Sequence, residues 1–154
     1  MNLPLIVGVI FLLFGIYMLG HAISCYKKAK LSRHWPAVKG RLTTVKLWGP
    51  RLVDGKTIDA EKLDVAYSYT VDGISHHARS VSFYTMVYPE TLAFARQHAV
   101  GSDISVYYNP RNHAEAVLIS GLNKNKPYSD LILGALAVIV GATLALLAWF
   151  RIIG

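Results

Sequence analysis

Residues 3–25 read LPLIVGVIFLLFGIYMLGHAISC, and residues 131–150 read LILGALAVIVGATLALLAWF. Neither stretch contains Asp, Glu, Lys or Arg. At the rise of an α-helix, some 20 apolar residues cross the roughly 30 Å hydrocarbon layer of a bilayer. Each stretch therefore reads as a transmembrane helix, over 3–25 and 129–150. Ser129 and Asp130 supply N-cap chemistry for the second. Trp149 and Arg151 close it as interfacial anchors do.

Composition agrees. The 154-residue chain is 53% hydrophobic and 16% charged, against about a quarter charged in soluble domains. The surplus sits in the two terminal blocks, and the middle has a soluble composition. The first block is too long for the apolar region of a cleaved signal peptide, and no basic residue precedes it. Ala22-Ile23-Ser24-Cys25 loosely resembles a bacterial lipoprotein cleavage site, which would lipidate Cys25, but Leu is usual where Ala22 stands and the basic start is missing; the other reading is an unmodified thiol at the membrane edge. Cys25 is the single cysteine, so no intramolecular disulfide is possible.

Charge orients the chain. Residues 26–41 form a basic juxtamembrane segment with Lys27, Lys28, Lys30, Arg33, Lys39 and Arg41 and no acid. Residues 42–128 carry nine basic and eight acidic residues, with Lys124 and Lys126 just before the second span. The positive-inside rule then predicts a cytoplasmic loop with both termini outside. Within the basic segment, Lys27, Lys28, Lys30, Arg33 and Trp35 are the expected contacts with a bilayer surface of anionic head groups.

Small residues recur every seven positions on both spans: Gly8, Gly15 and Ala22 on the first, Gly134, Gly141 and Ala148 on the second. Such stripes let helix backbones approach closely in lipid. They serve equally for packing within one chain and for packing between copies in a homo-oligomer.

The middle, 38–120, reads as a small β-rich domain. Lys39–Trp48 is strand-like between Pro36 and the break predicted at Gly49-Pro50. Leu63, Val65, Tyr67, Tyr69 and Val71 alternate with polar or small residues, the period of a half-buried strand. Asp72-Gly73 then predicts a two-residue hairpin into a strand over 74–84. Pairing Val71 with Ile74 puts Tyr69 opposite His76 and Tyr67 opposite Ala78. Val81 and Phe83 would then face the wrong way, which predicts a bulge near Arg79-Ser80. A helix is expected over 89–99, with Leu92, Phe94 and Ala95 toward the sheet. Short strands follow at 104–108 and 114–119, and a polar linker over 121–128. The predicted fold class is α+β: two transmembrane helices flanking a small, mainly antiparallel β domain with one short helix. The element order is helix, three strands, helix, two strands, helix.

Ser32-Arg33-His34-Trp35-Pro36-Ala37-Val38-Lys39-Gly40, the hairpin Val65–Gly73, and Val106-Tyr107-Tyr108-Asn109-Pro110-Arg111-Asn112 with Ala116-Val117-Leu118 together resemble the opening, central and closing motifs of a bacterial membrane family. That family is catalogued as domain of unknown function 3592. The resemblance covers residues 30–120 and departs at His113, where the family often has a second proline. It implies the fold and a bacterial inner membrane location, and no reaction. The motifs also have a direct physical reading. Trp35 suits a membrane interface, Pro36 sends the chain out extended, Gly40 permits close strand approach and Asn109-Pro110 makes a turn.

Chemistry-bearing motifs are absent from the sequence. It lacks G-x-S-x-G, H-E-x-x-H, a Gly-Lys-Ser/Thr phosphate loop and G-x-G-x-x-G. His76 and His77 are adjacent on a predicted strand and should point to opposite faces, so a shared metal would need His98 or His113 as well. His21, inside the first span, reads as a packing or interfacial residue. Asp54, Asp59, Glu61 and Asp64 cluster around a predicted loop and read as a solvated face. No catalytic residue, cofactor or metal is expected, and nothing supports nucleic-acid binding. Two classes of function follow. One is a non-enzymatic, membrane-tethered interaction module for a protein partner or lipid head groups, including an accessory or immunity-type factor. The other is an enzyme or transporter accessory subunit with a site between the helices and the β domain.

Overall fold

The computed structural model describes residues 3–123 and 129–150. Lys124, Lys126, the Tyr128 end of the linker and Arg151 lie outside the described residues, as does the side chain of Ser129. The elements are α1 (Leu3–Ser32), β1 (Ala37–Val53), β2 (Lys56–Val71), β3 (Ile74–Ala78), α2 (Glu90–Gln97), β4 (Asp103–Asn109), β5 (Asn112–Val117) and α3 (Ser129–Trp149). Type and order follow the sequence reading, and the class is α+β. The chain divides into two units: the residues up to Lys27 with those from Asn123 onward, and Lys28–Leu122.

In the first unit, α1 and α3 are both long and apolar enough to cross a membrane. Gly8, Gly15, Ala22, Gly134, Gly141 and Ala148 are all buried. A Cβ on Gly8 would lie 2.7 Å from the Ala145 nitrogen, and one on Gly15 2.6 Å from that of Val138. A Cβ on Gly134 would lie 3.0 Å from the Leu19 nitrogen, and one on Gly141 would run into the Leu12 backbone. Partner numbers fall on α3 as they rise on α1, so the helices run antiparallel, backbone against backbone, within one chain. Only glycine allows that approach.

In the second unit, five antiparallel strands take the order β3-β2-β1-β4-β5. Val65, Tyr67, Tyr69 and Val71 of β2 point inward and meet Leu42, Phe94, Val106, Ala116 and Leu118 in the core. The Asp72-Gly73 hairpin has the expected register, Val71 with Ile74, Tyr69 with His76 and Tyr67 with Ala78. Both turn residues have positive φ, 52° and 80°, as a type I′ turn requires. Gly40 lies where β1 meets β4 and β2. A Cβ there would sit 2.5 Å from Val106 Cγ2 and 2.8 Å from the Ser68 carbonyl.

Several boundaries differ from the sequence reading. Gly49-Pro50 does not end β1: Gly49 takes φ 85° and the register shifts between Trp48 and Pro50, so the strand runs on to Val53. A second shift between Leu42 and Thr44 moves the inward parity from Leu42 to Val45. Asp54-Gly55, with φ 50° and 78°, is a second tight hairpin, pairing Val53 with Lys56. Asp59, Glu61 and Asp64 therefore stand on β2, not around a loop. No bulge forms at Arg79-Ser80. Instead β3 ends at Ala78, and the Val81 carbonyl accepts from the Leu118 and Ile119 nitrogens. The crossing returns Val81 to the core without a bulge. The short helix α2 buries Thr91 with Phe94, while Leu92 and Ala95 are half-buried. Thr91 faces in because its hydroxyl donates to the Ala60 carbonyl at 2.6 Å.

Gly15→Leu and Gly141→Leu are expected to lower the detergent melting temperature more than Leu13→Ala or Leu146→Ala, whose native side chains are 62% and 56% exposed. Thermal unfolding followed by circular dichroism checks this. Equal shifts would mean that the glycine faces do not support the pair.

Candidate functional site

The last turn of α1 belongs to the β domain. The uncharged stretch ends at Cys25, yet the helix continues to Ser32. Ala29 and Ser32 are each 0% exposed. Ser32 Oγ donates to the Ala29 carbonyl at 2.8 Å and accepts the Gly121 N–H at 2.8 Å. Lys28 Nζ donates to Glu115 Oε1 at 2.6 Å, and Asn109 Nδ2 donates to Glu115 Oε2 at 2.8 Å. Burial pushes the Glu115 carboxyl up, but the bonds from Lys28 and Asn109 outweigh it and hold the group below its ordinary value. Glu115 is thus an ionised clasp between α1 and β5.

The residues expected at a membrane surface divide accordingly. Lys27 and Lys30 are exposed. Lys28 is in the clasp, and the Arg33 side chain lies over Gly121, where a Cβ would meet its Cγ at 3.0 Å. Trp35 is half-buried and meets Phe83 edge-on, ring centres 5.6 Å apart. The sequence reading missed Ser32, Glu115 and Gly121. One signal was available: Ala29 extends the seven-residue series Gly8, Gly15, Ala22, which carries the helix beyond Cys25.

The sheet's outer strands, β3 and β5, close over Tyr67. Its hydroxyl is 2.8 Å from the Ser80 carbonyl and 2.9 Å from that of Ala116, sharing one proton between them. Tyr69 donates to the His113 carbonyl at 2.5 Å. Burial pushes the Tyr67 phenol far above its ordinary 10.0, and the neighbouring Tyr69 adds to the shift. Burial raises Tyr69 as well. Above this seam lies an open polar groove of about 420 Å³, lined by Lys28, His77, Arg79, Ser80, Asn112 and Glu115.

The histidines do not converge. His76 stacks on Tyr69 at 5.4 Å and meets His113 edge-on at 6.3 Å, while His77 is exposed. His98 stacks on Phe94 and donates to its carbonyl at 3.0 Å. His21 Nδ1 lies 3.8 Å from Cys25 Sγ, one turn along α1. Among the described residues, no group of three His, Cys, Asp or Glu is placed to hold a metal ion.

The family model described as Domain of unknown function (DUF3592) matches residues 38–123. The chain belongs to this family. The match spans β1 to β5 and the chain beyond Gly121, so the DUF3592 region includes the five-stranded sheet and one side of the clasp. Lys28 and Ser32, on the other side, precede it. No curated protein and no solved structure matches the chain.

Tyr67→Phe is expected to destabilise the DUF3592 domain by about 1–3 kcal/mol, because a buried carbonyl loses its donor. A phenol whose folded pKa is raised contributes stability that is fully present below pH 10.0 and lost as pH rises toward the folded value. Denaturant titrations from pH 8 upward should show wild-type stability falling above pH 10 and Tyr67→Phe falling less steeply. Parallel curves would remove Tyr67 as the group responsible.

Proposed function

We propose that this DUF3592 protein spans a bacterial cytoplasmic membrane twice and acts as a non-enzymatic interaction module. On this reading its β domain is held at the cytoplasmic face and binds a partner protein or lipid head groups. The observation that carries the reading is the continuity of α1 with the domain. The helix runs unbroken into the domain, where Ala29 and Ser32 of its last turn are buried and Ser32 is hydrogen-bonded to Gly121. A domain so attached stays within reach of the bilayer surface, where surface contacts suffice for function.

The inward-facing polar groups support the same reading. Ser32, Tyr67, Tyr69 and Thr91 each direct a hydroxyl at a backbone carbonyl. Groups engaged in this way hold strands and helix ends together. The cytoplasmic placement rests on the lysines and arginines of residues 26–41.

Two measurements test the proposal. Alkaline phosphatase inserted at Ser75 should be inactive in a bacterial host, and an active enzyme would overturn the cytoplasmic side. Single alanine substitutions at His76, His98, Asp54 and Asp59 should each rescue a deletion strain as wild type does. A variant there that is folded and inserted yet wholly inactive would replace the interaction reading with a catalytic one.

A further inference from the structure

The groove between β3 and β5 has the donors of an anion site, and its position limits which anion reaches it. Its lining carries two permanent cations, Lys28 and Arg79, against one acid, Glu115. Arg79 donates through Nη2 to Asp64, which is outside the lining, at 3.0 Å. Its Nε and Nη1 have no protein acceptor among the described residues. The same holds for the Ser80 hydroxyl, the Asn112 amide nitrogen and the His77 ring. Lys28 gives one of its three N–H donors to Glu115. Five side chains from α1, β3, the chain after it, and β5 thus offer donors not taken up by the protein to one solvent-open space. Phosphate oxygens are the acceptors such a set matches best.

Lys28 is three residues beyond Cys25 in an unbroken helix. It therefore lies about 4.5 Å along the axis from the end of the uncharged stretch. Head-group phosphates occupy that depth beside a membrane span. Lys27 and Lys30 flank it on the same helix, and residues 26–41 contain no acid.

We propose that this groove binds the phosphate of an anionic phospholipid head group, with Lys28 and Arg79 as the charged contacts and Ser80, Asn112 and His77 as hydrogen-bond donors. The proposal rests on the membrane-surface reading above and gives it a ligand and a site. Burial of the Tyr67 hydroxyl against Ser80 and Ala116 fixes the floor of the groove, so the donors are arranged before the lipid arrives.

The full-length protein in nanodiscs of phosphatidylcholine, alone or mixed with phosphatidylglycerol, provides the test. Lipids retained after mild detergent extraction are counted by native mass spectrometry. The wild type should retain phosphatidylglycerol in preference to phosphatidylcholine. Arg79→Gln and Lys28→Gln should each weaken that retention about fivefold. Lys46→Gln, on β1 away from the groove, should leave it unchanged. Lys28→Gln also breaks the clasp with Glu115, so Arg79→Gln, whose side chain is 72% exposed, decides the matter if the first variant fails to fold. Retention that favours phosphatidylglycerol but ignores Arg79→Gln overturns the site and leaves the membrane-surface reading intact. Equal retention of the two lipids overturns both the site and the lipid half of that reading. Displacement of phosphatidylglycerol by millimolar inorganic phosphate would assign the groove to a soluble anion and overturn the lipid as its source.

Discussion

The Gly121 N–H donates to Ser32 Oγ, which is buried to 0% exposure and lies 89 residues earlier in the chain. This bond joins the entry of the β domain to its exit. Ser32 ends α1, and Gly121, with φ 87°, opens the segment that leaves the sheet. A buried amide without an acceptor costs about 1–3 kcal/mol, so the exit loop is held against the helix end. The Lys28–Glu115 pair adds a second tie from the same turn of helix to β5. Exposed ion pairs usually contribute little. Here the carboxylate is also held by Asn109 and is only 23% exposed, so its position is better defined than that of a free surface pair.

The outer strands of the sheet also come together, through Val81 and Tyr67. β3 pairs with β2 for only five residues, and the chain then crosses to the end of β5. Tyr67, from the centre of β2, reaches both crossing partners with one hydroxyl. A five-stranded antiparallel sheet has two free edges, which invite pairing with other chains. The crossing shields part of both edges and builds the polar groove above them. The long β1–β2 ribbon extends in the other direction to the turn at Asp54-Gly55, with Leu52 71% exposed beside it.

Local chemistry was legible in the sequence, and long-range ties were not. The two apolar helices and their glycine stripes follow from composition and a seven-residue period. The Asp72-Gly73 turn follows from one dipeptide between two strand-like runs, and its register came with it. Asp54-Gly55 carries the same dipeptide, but Gly49-Pro50 nearby reads as a stop. The bulge that lets β1 pass through Gly49 depends on pairing with β2. The ending of β3 at Ala78 depends likewise on Val81 bonding to Leu118 and Ile119, nearly forty residues on. In the groove, Lys28 was legible as a surface cation, whereas its partner Glu115 and its neighbours Arg79, Ser80 and Asn112 come together only through the fold.

The attachment also bears on how strong any contact at the groove must be. A free domain that binds a surface loses translational and rotational freedom, a cost of several kcal/mol or more. On the proposed reading, a domain continuous with a membrane-spanning helix has already lost most of that freedom, and a head-group ligand is present at the effective concentration set by the tether. With a tether of a few helical residues, contacts near 1 kcal/mol per basic side chain are enough to keep a site occupied. A deep, dry pocket is then unnecessary. An open polar groove with two cations, such as the one lined by Lys28 and Arg79, is the kind of site such an attachment would favour.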